Sequence, residues 1–428
     1  MAFVEALPYL TADMPGIGGS IKDATHDFAV DELPLYPASG QGDHVYFKIR
    51  KAGLPTPAAL ERIARFMGVR ASDIGVAGLK DSQALTTQWM SLEHADFNKL
   101  SSYKDSQIKI IEMTRHNNKL RPGHLAGNRF DIRIRGVSSR EVARAQAILD
   151  VLLARGVPNF FGEQRFGARG DTGDLGAALI RNDLDEFVKI FLGRSRPTDP
   201  PDCKAARDAF DAGFYQRAAE RWPWHFADQR RALAAYKKKQ RAVQAVLAVD
   251  KRMRRLFVSA FQSEIFNKVL AARLATIDRV MKGDLAQKRD SGGVFLVEDE
   301  AVEGPRAKAF EISPTGPIVG VRGLLAQGEP GKIELDALAA YKAKVEDFDH
   351  VGTLKVNGGR RALRFAIEQP RLSAGKDDRG DFVRLSFVAP PGCYATVVLS
   401  EITKTQALLP QRAQKAQSDE VVGEENDE

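Results

Sequence analysis

Cysteine is nearly absent. Cys203 and Cys393 are the only two in 428 residues, and they lie far apart. That excludes a disulfide scaffold and a thiolate metal site. No apolar run approaches the length of a membrane span. The opening, MAFVEALPYLTADMPG, lacks the basic start and long apolar core of a signal peptide. The G-x-x-x-x-G-K-S/T pattern does not occur, which removes a P-loop reading. His116 and His124 share one loop with no third ligand at useful spacing, so they do not read as a metal pair. The expectation is a cytoplasmic chain without membrane contact, metal or cofactor, and nothing in it points to an obligate protein partner.

What the chain has in quantity is charge. Charged residues make up 28% and the net charge is +7. Asp419 to Glu428 hold six acids and no base, so the remainder is more basic still. A basic body suits a polyanion such as RNA, although solubility alone accounts for it equally well. The length exceeds what one core usually holds, so two domains are expected.

The stretch around which the rest is organised runs from Val76 to Trp89. Its apolar start reads as a strand end, Gly78 lets backbone come close, and Lys80 and Asp81 break the pattern together. An acid just past a strand end with a cation beside it is a candidate active carboxylate. A Lys-Asp pair in a loop is, however, more often simple turn chemistry.

The flanking segments read as an α/β layer. Phe28 and Val30 share one strand face. Val45, Phe47 and Ile49 alternate with His44, Tyr46 and Lys48, and Gly40–Gly42 turns the chain between the two strands as a hairpin. Thr56 to Met67 is helical, with Leu60, Ile63, Ala64 and Met67 as its apolar stripe. The loop from Arg115 to Arg129 carries Arg115, Lys119, Arg121 and Arg129 among glycines, which suits phosphate contacts or plain solvation. Phe130, Ile132 and Ile134 then line a strand face. Ser138 and Glu141 mark a helix start running to about Leu153. Residues 168 to 340 read mostly helical, including a long basic stretch from Lys237 to Arg255. Ile312 to Gly320 reads as a rigid loop fixed by Pro314 and Pro317. Tyr394 to Leu399 reads as a strand.

These residues carry a resemblance. GLKD at 78–81 followed by Ala84, Thr86 and Gln88 is similar to the active-site motif of the TruD family of tRNA pseudouridine synthases. Further strings occur in the family's order: Phe28-x-Val30-x-Glu32, then Gly42-x-His44-x-Tyr46, His116-x-x-Lys119-Leu120-Arg121 through Asn128 and Phe130, Asn159–Gly167, Gln262–Asn267, Ile312–Pro317 and Pro390–Ile402. The resemblance spans roughly residues 20 to 405. It departs at Gln83 and at Ser400, where the family usually has basic residues.

The resemblance implies an α/β (α+β) pseudouridine-synthase catalytic domain with a mixed, largely antiparallel sheet, built from residues 1–158 and 341–405. An inserted TRUD domain would occupy 159–340, and 406–428 would be a disordered acidic tail. The substrate would be tRNA, isomerised from uridine to pseudouridine at position 13. Asp81 would be catalytic. Lys22, Phe28, Lys80, His116, Lys119, Arg121, Asn128, Phe130 and Arg165 would bind substrate or shape its pocket. Read without the resemblance, Lys22 is a solvated lysine, Phe28 and Phe130 are core rings, and Arg165 is a hinge residue. The rival functions are a non-catalytic RNA-binding or RNA-folding protein, which would not need Asp81, and a nuclease, which would want a carboxylate cluster that Asp81 lacks in the sequence.

Overall fold

The computed structural model describes residues 7–349, 351 and 354–405, so the acidic tail expected at 406–428 lies outside the described residues. The chain divides into two compact units. One holds Thr11–Val157 together with Phe365–Thr405, and the other is built on Pro158–Arg364.

The first unit is organised by an eight-stranded sheet. Its strands are β1 (Phe28–Pro34), β2 (His44–Ala52), β3 (Gly75–Val76), β4 (Leu85–Glu93), β5 (Ile108–His116), β6 (Leu125–Arg135), β7 (Glu368–Asp377) and β8 (Gly380–Ala389). The spatial order is β7-β8-β6-β1-β4-β2-β5, and β3 pairs with β4. Only the β1–β4 pairing is parallel among those described. The sheet is therefore mixed and largely antiparallel, within an α/β (α+β) chain.

β1 and β2 are not the hairpin read from the sequence. β4 lies between them, parallel to β1 and antiparallel to β2. The nine residues linking β1 to β2 are long enough to step over one strand position, and neighbours in sequence need not be neighbours in a sheet.

Val45, Phe47 and Ile49 point to one face of the sheet, where Ala59, Ile63 and Ala64 of the helix Thr56–Met67 close over them. On the same face of the neighbouring strands lie Phe28, Val30 and Glu32, paired in register with Ile132, Phe130 and Asn128. The segment read as a strand at 394–399 is instead the helix Ala395–Thr403. Ala395, Val398, Leu399 and Ile402 are buried at helical spacing. Ser138 starts the helical turn before Val142–Arg155 by accepting the Arg140 N–H at 3.3 Å.

In the second unit the helix Lys251–Arg273 is central, and Thr172–Ile180 packs along it. The basic stretch is not one helix: it breaks at Gln240, which has a positive φ of 47°, and again at Asp250. The loop read at 312–320 is largely a strand, Ile312–Ile318. It changes neighbours midway, with Ile312–Pro314 against Leu285–Lys288 and Thr315–Ile318 against Gly359–Ala362. Each neighbour asks only for a short ladder, which accommodates Pro314 and Pro317. The unit also runs past residue 340, because Val351, Leu354 and Val356 are buried in its core and Gly359–Ala362 joins its sheet.

Candidate active site

Asp81 lies in the loop between β3 and β4, and its carboxylate is 35% exposed. Oδ2 accepts from the Lys22 ammonium at 2.6 Å, and Lys22 is buried to 1%. Lys22 adopts a positive φ of 60°. Two anchors hold its segment: backbone hydrogen bonds between Ser20 and Arg135, and the buried Asp27–Arg135 pair. Its ammonium also sits 4.5 Å from the centre of the Phe28 ring, a cation–π contact. Phe28 meets Phe130 edge-on at 6.2 Å, and Phe130 stacks on Phe387 at 5.2 Å.

Lys80 points elsewhere. Its Nζ is 2.6 Å from Glu32 Oε2, and the two side chains are 6% and 1% exposed. The other Glu32 oxygen accepts the Trp89 N–H at 3.0 Å. β1 and β3 share one edge of β4, so this carboxylate serves backbone in the gap that they leave. Lys80 and Asp81 are neighbours in sequence but members of two separate ion pairs.

Asn128 lies opposite Glu32 in register, on the face that carries Phe28 and Phe130. Its Oδ1 is buried with no hydrogen-bond partner among the described residues. The sheet thus brings Lys22, Phe28, Lys80, Asp81, Asn128 and Phe130 to one region: a half-exposed carboxylate, a cation, two aromatic rings and a free amide oxygen.

His116 is elsewhere. It pairs in register with His44 at the start of β2, whereas the Asp81 backbone is bound to Lys51 near its end, about 20 Å away along the strand. Its Nδ1 accepts the Ser39 N–H at 3.1 Å, and its ring stacks on Tyr36. The Tyr36 hydroxyl is 2.8 Å from His124 Nδ1. Burial first, then the Tyr36 hydroxyl, push the nearby Tyr46 phenol above its usual value. Lys119 donates to Ser72 O at 2.9 Å, Arg121 is exposed, and the loop is tied to the approach to Asp81 by Gly123 N–H to Ala77 O at 2.8 Å.

Arg165 belongs to the second unit, where it donates to Ser259 and Ser263 on the central helix. The arginines after Gly358-Gly359 also serve that unit. Arg360 pairs with buried Glu334 at 2.7 Å, Arg361 lies over the Phe161 ring, and Arg364 lies over Phe310. Asn267 of the Gln262–Asn267 string exchanges hydrogen bonds with the Phe161 backbone.

The residues that sequence reading missed are Lys51, Thr56 as a side chain, and Glu32 as the partner of Lys80. Lys51 had a visible signal. It continues the inward row Val45, Phe47, Ile49, where a lysine has no reason to be unless its ammonium has a task.

Residues 5–402 match the family described as tRNA pseudouridine synthase D (TruD). The tRNA pseudouridine synthase D of Geobacter metallireducens is 43% identical, over 92% of this chain and 97% of that protein. That of Geotalea daltonii is 41% identical, over 93% and 100%. A crystal structure titled as the putative tRNA pseudouridine synthase D (TruD) from Methanosarcina mazei superposes with a TM-score of 0.83 at 26% identity, covering 95% of this chain and 99% of that one. Sequence, fold and the order of the motifs agree: this chain belongs to the tRNA pseudouridine synthase D (TruD) family.

Proposed function

We propose that this protein isomerises uridine to pseudouridine in tRNA, at position 13, with Asp81 as the catalytic residue. The observation that carries the reading is the Asp81–Lys22 pair, a half-exposed carboxylate held by a buried cation beside the rings of Phe28 and Phe130. A uridine must leave its stack to reach that carboxylate, at a cost of a few kcal/mol. Exposed cations such as Arg121 offset the cost through the RNA backbone. The rings of Phe28 and Phe130, 3% and 8% exposed, form an apolar floor beside Asp81 for the extruded base.

Asp81 acts at the ribose–uracil junction, as nucleophile or base. The bond from C1′ to N1 breaks, the uracil turns, and C5 bonds to C1′. The proton lost from C5 balances the proton gained at N1, so nothing is consumed. Lys80, paired with buried Glu32, holds the strand gap beside the loop and does not touch the target base. His116, Lys119 and Arg121 belong to the tRNA-binding surface and do not touch the target base, and Arg165 braces the inserted TRUD unit. A tRNA substrate puts the protein in the cytoplasm.

The test is incubation with unmodified tRNA transcripts and mapping of pseudouridine by position. The parent should produce it at position 13. Asp81→Asn should bind the same transcripts and form none. Product from the Asp81→Asn protein would refute the assignment. Binding by the parent without product on any transcript would favour an RNA-folding role.

A further inference from the structure

We infer that Lys51 is a positioning residue for catalysis, an internal ammonium that fixes the backbone of the Asp81 loop. The inference rests on the synthase reading of Asp81. Lys51 is 0% exposed. Its Nζ donates to Leu54 O at 2.5 Å, to Asp81 O at 2.9 Å and to Lys80 O at 3.2 Å. An ammonium carries three donors, and three carbonyl oxygens surround this one. Two of them belong to the catalytic loop, and one belongs to the catalytic residue itself.

The place of Lys51 in the fold explains the choice of residue. It sits at the end of the inward row of β2, opposite Thr86 on β4 and Ile108 on β5. An apolar side chain would satisfy the row and would leave two loop carbonyls facing the core. Buried carbonyls need donors. A lysine reaches them from a strand, and a strand is a more rigid base than another loop.

Thr56 completes the grip from the other direction. Its Oγ1 accepts the Lys80 N–H at 2.9 Å and donates to Gln88 Oε1 at 2.9 Å. Between them, β2 and the first residue of the helix Thr56–Met67 bind the carbonyls and the amide of the Lys80 peptide unit. Movement of the Asp81 backbone relative to Lys22 then requires breaking these bonds. Since Lys51 is fully enclosed, it cannot touch RNA, and its effect must appear in the chemical step and not in binding.

The experiment compares wild type, Lys51→Met and Thr56→Val. It reads single-turnover pseudouridine formation, tRNA affinity, thermal unfolding and hydrogen exchange at the Lys80 amide. Lys51→Met should lower the single-turnover rate about 100-fold, the scale of a small misplacement of a reacting group. Its Kd for tRNA should stay within about twofold, and exchange at Lys80 should quicken. Thr56→Val keeps Lys51 in place, removes the acceptor of the Lys80 N–H, and should lower the rate on the order of tenfold, again without a change in Kd.

A folded Lys51→Met protein that retains a rate within about threefold of wild type would overturn the inference. So would a Kd that weakens in proportion to the rate. If Lys51→Met does not fold, Thr56→Val decides, and a wild-type rate there overturns the inference. A wild-type protein inactive on every transcript would defeat the synthase reading instead. Exchange at Lys80 would still report on the clamp, and unchanged exchange in both variants would refute it.

Discussion

Glu32 is the residue on which the interior of the active region depends most. Both of its oxygens are used, one by Lys80 and one by the Trp89 backbone, and its side chain is 1% exposed. A buried pair contributes little compared with an apolar pair of the same volume, but removing one partner strands the other charge. Glu32→Gln should therefore destabilise the first unit by about 3–5 kcal/mol. Adding Lys80→Met should recover part of that loss, because the ammonium left without a partner is gone. Urea denaturation of the two singles and the double closes the cycle. Equal losses in Glu32→Gln and in the double variant would mean that the stranded Lys80 charge is not the source of the loss. Asp81, the proposed catalytic carboxylate, belongs to a separate ion pair and is 35% exposed where Glu32 is 1% exposed, so exposure tells the two acids apart.

At the scale of elements, the second unit turns on one close helix crossing. Thr172–Ile180 packs along Lys251–Arg273, and the contact passes through Gly173 and Gly176. A Cβ at Gly176 would land on the Phe257 carbonyl, and one at Gly173 would land on the Glu264 carboxylate. Gly176→Ala should push the helices apart and lower stability by about 1–3 kcal/mol, measurable in the denaturation of that unit, although alanine is the better helix former. The two glycines were in view in the sequence, yet nothing in a one-dimensional pattern distinguishes a packing glycine from a loop glycine. Other elements were legible for a physical reason. Val45, Phe47 and Ile49 alternate cleanly, and Thr56–Met67 has a proline start and one apolar stripe. Tyr394–Leu399 was misread because six mostly apolar residues, three of them β-branched, suit strand and helix alike, and the deciding Ile402 lay beyond the window. The Asp81–Lys22 pair was within reach of motif reading. The Lys80–Glu32 pair was not, since it depends on β4 entering between β1 and β2.

At the scale of the whole molecule, one carboxylate in each unit, Asp27 and Glu264, responds to pH in the opposite direction from the other. In the first, Arg135 binds Asp27 and Asp377, and Arg379 also reaches Asp27, so one guanidinium joins the N-terminal segment to the returning chain. Burial works to raise the Asp27 carboxyl, but the Arg135 hydrogen bonds and charge prevail and hold it below its ordinary 3.8. The Arg135 bonds lower Asp377 as well. Depressed carboxylates stabilise the fold above their unfolded values, so this unit weakens as pH falls below 3.8. In the second unit, burial and then the charge of Asp174 push Glu264 from 4.5 up to about 8. The sign is reversed: its contribution is full below 4.5 and is lost as pH rises towards 8. At neutral pH the folded unit must either hold a protonated Glu264 or bear a buried charge. Glu264→Gln removes that conflict at nearly constant shape. It should leave stability little changed at pH 4.5 and raise it by about 2–3 kcal/mol near neutrality. Calorimetry at both pH values, with the two units followed as separate transitions, reads the difference. A gain of the same size at both would assign the effect to packing against Gly173, and no gain at either would show that Glu264 is charged and well solvated in the folded protein.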